Sequence, residues 1–170
     1  MISDNSEKLE IVDTEGNVIG LAERAELHHD PSLIHRVVHV LVFNQKGELL
    51  LQKRSNQKDI APGKWDTSVG GHVAPGEAVL SAAQREMTEE LGITDCALRY
   101  LYRYLFSNRR ESELVDTFSC VYEGAITFNK DEIDAVAFRD IGEIKKNLGS
   151  GDFSAHFEME IRTYLSRDRS

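Results

Sequence analysis

The sequence predicts an α+β fold, an α/β/α sandwich with a mixed sheet, with strands interrupted by one central helix and closed by a terminal one. Three observations carry that expectation. Short apolar or alternating runs bounded by Gly, Pro, Asn and Asp recur along the chain. The stretch from Gly71 to Ile93 reads as loop, helix and closing loop. Phe153, Phe157, Ile161 and Tyr164 follow one another at helical spacing. No repeat, low-complexity segment or linker divides the 170 residues, a length suited to one domain with one substantial core.

The first six residues read as a loose end. Leu9 to Val12 and Val18 to Ala25 are expected as strands joined by a turn at Thr14 to Asn17, so that residues 8–27 form an N-terminal β-hairpin extension. After a His-rich loop at His28 to Pro31, His35 to Phe43 and Glu48 to Gln52 read as a second hairpin around Asn44 to Gly47. Lys53, Arg54 and Lys58 fall in a loop ending at Pro62-Gly63, and Trp65 to Val69 is a short strand leading into Gly70-Gly71.

In the central helix, Leu80, Ala83, Met87 and Leu91 form an apolar stripe on a period of about 3.6 residues. Pro75-Gly76 supplies a turn, Glu77 brings negative charge to the helix's positive end, and Gly92 suits the left-handed residue that ends it. Beyond it, Leu98 to Phe106, Leu114 to Tyr122 and Ala135 to Arg139 read as strands. Ile141 to Leu148 reads as a short helix, broken by Gly149-Ser150-Gly151 before the terminal helix.

A net charge of −9 disfavours a grip on nucleic-acid polymers, which rests on Lys and Arg contacts to phosphates, but suits an acidic metal site acting on a small phosphorylated molecule. Cys96 and Cys120, without a CxxC, read as reduced thiols. The polar N-terminus has no apolar core of a leader and no run approaches a membrane span, so a cytoplasmic location with no membrane partner is expected.

Glutamates on a helix are most often a solvated face. Here Glu86, Glu89 and Glu90 stand in a larger pattern: Gly71, five residues, Glu77, seven residues, then Arg85, Glu86, Met87, Thr88, Glu89, Glu90, Leu91, Gly92 and Ile93. Seven specified residue types would fall into register by chance roughly once in 10^8 placements. Residues three and four apart on a helix are neighbours, so the three carboxylates can converge. A hard cation such as Mg2+ is held by a few such oxygens together with substrate phosphates, and activates water while neutralising charge.

The pattern resembles the Nudix box of the Nudix hydrolase superfamily, with Met87 a less usual aliphatic. The resemblance implies a mixed-sheet sandwich and a Mg2+- or Mn2+-dependent hydrolase of a diphosphate linkage in a nucleoside-diphosphate-type or related small substrate. It makes Glu86 and Glu90 principal metal ligands, Glu89 a ligand or base, Gly71 a carbonyl ligand and Arg85 the partner of Glu77.

A longer resemblance runs through His28, His35, Phe43 to Gly47, Lys53-Arg54, Lys58, Pro62-Gly63, Trp65, Ser68-Val69, Gly71-His72 and Glu111-Ser112-Glu113. These residues are similar to those of isopentenyl-diphosphate isomerase, a Nudix relative. That likeness implies a second divalent metal at His28, His35, His72, Glu111 and Glu113, of the zinc or manganese kind. It also makes Arg54 and Lys58 diphosphate contacts, with Trp65 near the substrate's other group. The isomerase family's cysteine falls at Gly70 and its tryptophan at His156, so its acid and its aromatic shield are missing. Hydrolysis is therefore the expected reaction, with isomerisation or a non-catalytic nucleotide-binding module as alternatives. Glu132, in an acidic loop where some Nudix enzymes carry a base, reads as a solvated residue.

Overall fold

The computed structural model describes residues 6–168, so all but Ser6 of the expected loose N-terminal end lies outside the described residues. In chain order the elements are β1 (Lys8–Val12), β2 (Val18–Glu23), α1 (Arg24–Leu27), β3 (Ile34–Phe43), β4 (Leu49–Arg54), β5 (Trp65–Asp66), β6 (Val69–His72) and α2 (Val79–Leu91). β7 (Arg99–Ser107), β8 (Ser112–Val121), β9 (Ile133–Arg139), α3 (Ile141–Asn147) and α4 (Ala155–Arg167) follow. The α+β expectation holds, in the form of a mixed sheet between helices.

β3 organises the sheet. Its sequence, IHRVVHVLVF, is rich in β-branched and aliphatic side chains, as a strand buried on both faces requires. It pairs in parallel with β8 along its whole length, from Ile34 opposite Ser112 to Phe43 opposite Val121. β6 joins it antiparallel, with Val37 opposite His72 and His39 opposite Gly70. The expected hairpin with β4 closes only at Phe43 and Leu49; β4 then leaves to pair with β9 and β5. The local turn was legible, whereas the partner of each strand depends on distant segments.

Alternation along β3 divides the interior. Val38, Val40 and Val42 point to one face and pack with Leu50, Val69, Ala82, Ala83, Met87 and Leu91 beneath α2. Leu41 points to the other and packs with Leu49, Leu51, Phe153, Phe157 and Ile161 beneath α4. In α2 the stripe of Ala83, Met87 and Leu91 is buried as expected, but Leu80 is 44 % exposed and Ala82 takes its place. Gly92 ends the helix with φ +67°, and its N–H bonds the Thr88 carbonyl. Glu77 is not in the first helical turn; it precedes the Ala78 cap and is bound elsewhere.

Other boundaries move by small amounts with large effects on side chains. Residues 24–27, expected as the end of a strand and its loop, form the turn of helix α1 that presents His28. The strand expected over Trp65 to Val69 is split into β5 and β6, and β8 begins at Ser112, which brings Glu113 into the sheet. Ser154 caps α4 by accepting from the Phe157 N–H. Among the described residues no helix is long and apolar enough to cross a membrane.

The layer under α4 is more polar than an ordinary core. Glu160 is fully buried and its carboxylate meets His39 Nδ1 at 2.7 Å, Tyr102 Oη at 2.6 Å, Tyr104 Oη at 2.7 Å and Thr117 Oγ1 at 3.0 Å. Burial alone would raise its pKa, but the hydrogen bonds from His39 and the two tyrosines hold it below the usual carboxylate range. Its stabilising contribution is therefore present above the ordinary value of 4.5 and is lost as pH falls through the lower folded value. Glu160→Leu strands several buried donors, each costing about 1–3 kcal/mol. Urea unfolding should read a loss of about 3 kcal/mol or more, and an unchanged midpoint would remove Glu160 as the anchor of α4.

Candidate functional site

β6 carries the site because its four residues, Val69-Gly70-Gly71-His72, alternate between the two faces of the sheet. Gly71, opposite Val38, faces α2. A Cβ there would lie 2.2 Å from Glu86 Cδ, so glycine makes room for that carboxylate. Glu90, one helical turn on, is only 7 % exposed; its oxygens accept from Gln52 Nε2 at 3.2 Å and the Gly70 N–H at 3.1 Å. Glu89 lies at the open edge of the same strip with its side chain 58 % exposed.

Arg85 braces this corner. Its Nε and Nη2 donate to the two oxygens of Glu77, each at 2.9 Å, Nη2 also reaches the His72 carbonyl at 3.0 Å, and Nη1 reaches Glu86 at 2.8 Å. The fork geometry that arginine alone offers thus joins the loop before the helix to the helix itself. Glu77 also accepts from the Ala74 N–H at 2.9 Å. The expected Arg85–Glu77 pair is present, and Glu77 closes the loop rather than serving the helix dipole.

Burial first, then the like charges of Glu89 and Glu132, push Glu86 up to about 7 against the pull of Arg85. Glu90 is raised well above the carboxylate range by burial and then by Glu86. Two buried carboxylates held against their ionisation are a donor set that a hard divalent cation fits, because the cation supplies the charge they lack. The charge of Glu132 adds a smaller upward push to both. Lys58 Nζ pairs with Glu132 at 3.4 Å, at the rim of a small cleft with Gln57 and Asp131.

The other substrate candidates are placed differently. Arg54 donates to the Ile60 carbonyl at 2.8 Å and to Asp66 at 3.2 Å. Trp65 packs in the core beneath α4, with Arg139 over its ring at 4.5 Å. Lys58 is therefore the substrate candidate at the box, while Arg54 and Trp65 are engaged by the protein's own groups.

His72, adjacent to Gly71 and opposite Val37, points to the α4 face. There it meets His28 and His35, with ring centroids 5.2–5.4 Å apart. The register of β3 against β8 sets His35 directly opposite Glu113, and Glu111 stands just before the strand. Among the described residues, two groups of three have donor atoms mutually within 4.8 Å: His28, His35 and His72, and His35, Glu111 and Glu113. All five expected residues therefore converge. The box glutamates are not gathered so tightly, with Glu86 drawn to Arg85. The two clusters project from opposite faces of the sheet instead of sharing one surface.

The histidine cluster passes a further test for a metal. His35 is fully buried with neither ring nitrogen hydrogen-bonded, and Glu111 Oε2 is buried without a hydrogen bond. Such orphaned groups are costly unless something binds them. Burial, then repulsion from His72 and His35, drives His28 down to about 3, and burial lowers His72 as well, so both are neutral imidazoles able to ligate. Glu113 is held well below the carboxylate range: burial opposes this, but the neighbouring His156 and His35 imidazoles prevail. Glu7, at the start of the N-terminal hairpin, approaches His72 Nδ1 at 3.6 Å.

Several participants escaped the sequence reading. Gln52 and Glu7 carry no motif. His156 was legible only as a departure from a family pattern; here it lies 3.1 Å from Glu113 and stacks on Phe106 at 4.1 Å. Gly70 is legible as a missing thiol, but its neighbour is not: a Cβ there would come within 3.2 Å of His39 Cδ2.

Comparison with known proteins agrees with this arrangement. The NUDIX domain family matches residues 33–157. An isopentenyl-diphosphate Delta-isomerase of Streptomyces griseus is 35 % identical over 155 residues, covering 88 % of this chain and 79 % of the relative. An uncharacterized Nudix hydrolase of Pseudomonas aeruginosa is 36 % identical over 134 residues, 79 % of each chain. A crystal structure from Deinococcus radiodurans superposes with a TM-score of 0.81 at 23 % identity, covering 92 % of this chain and 98 % of that one, a likeness of fold. With the family matched over residues 33–157, which include the box, the chain belongs to the Nudix superfamily, in a branch similar to isopentenyl-diphosphate isomerase.

Proposed function

We propose that the protein is a metal-dependent hydrolase that cleaves a diphosphate linkage in a nucleoside-diphosphate-type or related small substrate. The observation that carries this reading is the complete carboxylate set, with half-buried Glu86 beside Gly71 braced by Arg85, and Glu90 buried one turn on. Glu86, Glu89, Glu90 and the Gly71 carbonyl would hold Mg2+ or Mn2+, which supplies charge neutralisation of the diphosphate and activation of the attacking water. Gln52 and the Gly70 N–H orient Glu90; Arg85 orients Glu86. Glu89, exposed at the edge and 3.5 Å from Arg85, would take the proton released by water or bind a metal, and Lys58 at the rim would exchange its pairing with Glu132 for a phosphate.

The second reading, isomerisation of isopentenyl diphosphate, is supported by the name of the Streptomyces griseus relative and by the His28, His35, His72, Glu111 and Glu113 cluster, which fits a second divalent metal. Against it, Gly70 carries no acid and the space beside it belongs to His39, while Glu113, a candidate base, is paired with His156. Incubating the enzyme with isopentenyl diphosphate in D2O should leave the substrate unlabelled; deuterium incorporation would favour isomerisation.

Screening with Mg2+, Mn2+ and Zn2+ against nucleoside diphosphate sugars, dinucleoside polyphosphates, nucleotide cofactors and prenyl diphosphates tests the hydrolase directly. On the substrate found, Glu90→Gln should abolish Mg2+-dependent turnover, and a wild-type rate in that variant would refute the assignment. Gly71→Ala, which displaces the Glu86 carboxylate, should lower kcat about 100-fold, the scale of a misplacement of about 1 Å, with the melting temperature little changed. In metal-free protein the contribution of Glu86 is complete below the unfolded value of 4.5 and is lost as pH rises through about 7. Thermal melts should therefore fall over that window, and Mg2+ should restore more stability at pH 8 than at pH 5.

A further inference from the structure

Each carboxylate of the Glu111-Ser112-Glu113 segment has one oxygen turned toward the imidazole cluster and one turned away. Glu111 Oε2 faces His28 Nδ1 at 3.4 Å and Glu113 Oε1 faces His35 Nε2 at 3.7 Å. The remaining oxygens, Glu111 Oε1 and Glu113 Oε2, both face His156 Nε2, at 3.7 and 3.1 Å. His156 therefore approaches the pair through the oxygens that the three imidazoles leave free. The 3.1 Å contact is an ion pair in which the N–H is not aimed straight at the oxygen.

The ring is held there from two directions. It stacks on Phe106 at 4.1 Å with 32° between the planes, and it rides in the first turn of α4, which Ser154 caps. One helical turn further along α4, Glu160 is locked by its four partners, so the helix cannot slide away from the sheet.

We propose that His156 is a positioning residue of the His28, His35, His72, Glu111 and Glu113 metal centre. Its Nε2–H is placed, 3.1 Å from Glu113 and 3.7 Å from Glu111, to hold the outer oxygens of both carboxylates so that the inner ones converge with the imidazoles. The proposal rests on the reading of that cluster as a divalent-metal site. Carboxylates that ligate a metal need a partner for the oxygen pointing away from it, and removal of such a partner weakens affinity about 10–100-fold. The same grip withdraws Glu113 from any second task. A carboxylate with one oxygen at the metal cluster and the other ion-paired to an imidazole is engaged at both oxygens.

The test is Zn2+ affinity, because imidazole donors suit zinc better than the oxygen-only donors of the Nudix box do. Full-length protein stripped of metal is titrated with Zn2+ in competition with a chromophoric chelator, for wild type, His156→Phe, His156→Gln and His28→Ala. Phenylalanine keeps the stack on Phe106 and removes the donor; glutamine returns an N–H. His156→Phe should weaken Zn2+ binding about 10–100-fold, and His156→Gln should recover most of that loss. His28→Ala should lose far more. If His156→Phe binds Zn2+ as the wild type does while His28→Ala does not, the positioning role is overturned and the centre stands. If glutamine fails to rescue, the donor role is likewise overturned, in favour of packing. Unchanged affinity in His28→Ala would instead overturn the centre itself.

Discussion

The parallel pairing of β3 with β8 is the constraint on which the rest of the structure depends. It sets His35 against Glu113 and His39 against Thr117 without slippage, because a shift of one residue would send every side chain to the opposite face. β6, held on the same strand, then gives Gly71 to one face and His72 to the other. A one-residue step along one short strand thereby serves two chemistries. One face offers carboxylates for a hard cation; the other offers imidazoles with carboxylates.

This division explains how an isomerase-like set of residues can coexist with an intact Nudix box. On the α4 face, the position where that family carries a thiol is a glycine crowded by His39, and His39 is in turn fixed by Glu160. The aromatic position is His156, turned to the carboxylates. On the α2 face, every residue that braces the box is present and engaged. The two faces share the Arg85 contact to the His72 carbonyl and the N-terminal hairpin, whose Glu10 accepts from the Gly76 N–H while its Glu7 approaches His72.

Much of this was legible in the sequence where the information is local. The box could be read because its spacing is that of one helix, and the stripe of Ala83, Met87 and Leu91 because burial repeats with helical period. Leu80, at the first turn of α2, is exposed although it keeps the helical period of the stripe. The five residues of the histidine cluster were legible only through a family resemblance. No local rule joins His28 to Glu113; the register of distant strands does. Gln52 and Glu160 were silent for the same reason: a single polar residue in a strand or helix looks like surface until its neighbours are known. The β3–β4 turn was legible, yet the strands it joins part after one pair.

The buried carboxylate of Glu160 also bears on the order in which the molecule is assembled. Helix α2 meets β6 through a short loop, so the carboxylates of the box come together through contacts close in sequence. Glu160 draws on β3, β7, β8 and α4, elements spread from residue 34 to residue 167. Contacts of such wide separation form slowly and late. The face of the sheet that holds the histidines is therefore sealed only when the last helix of the chain docks. A chain lacking α4 would therefore carry the Nudix helix over a sheet whose other side lacks the cover of Phe157, Glu160 and Ile161.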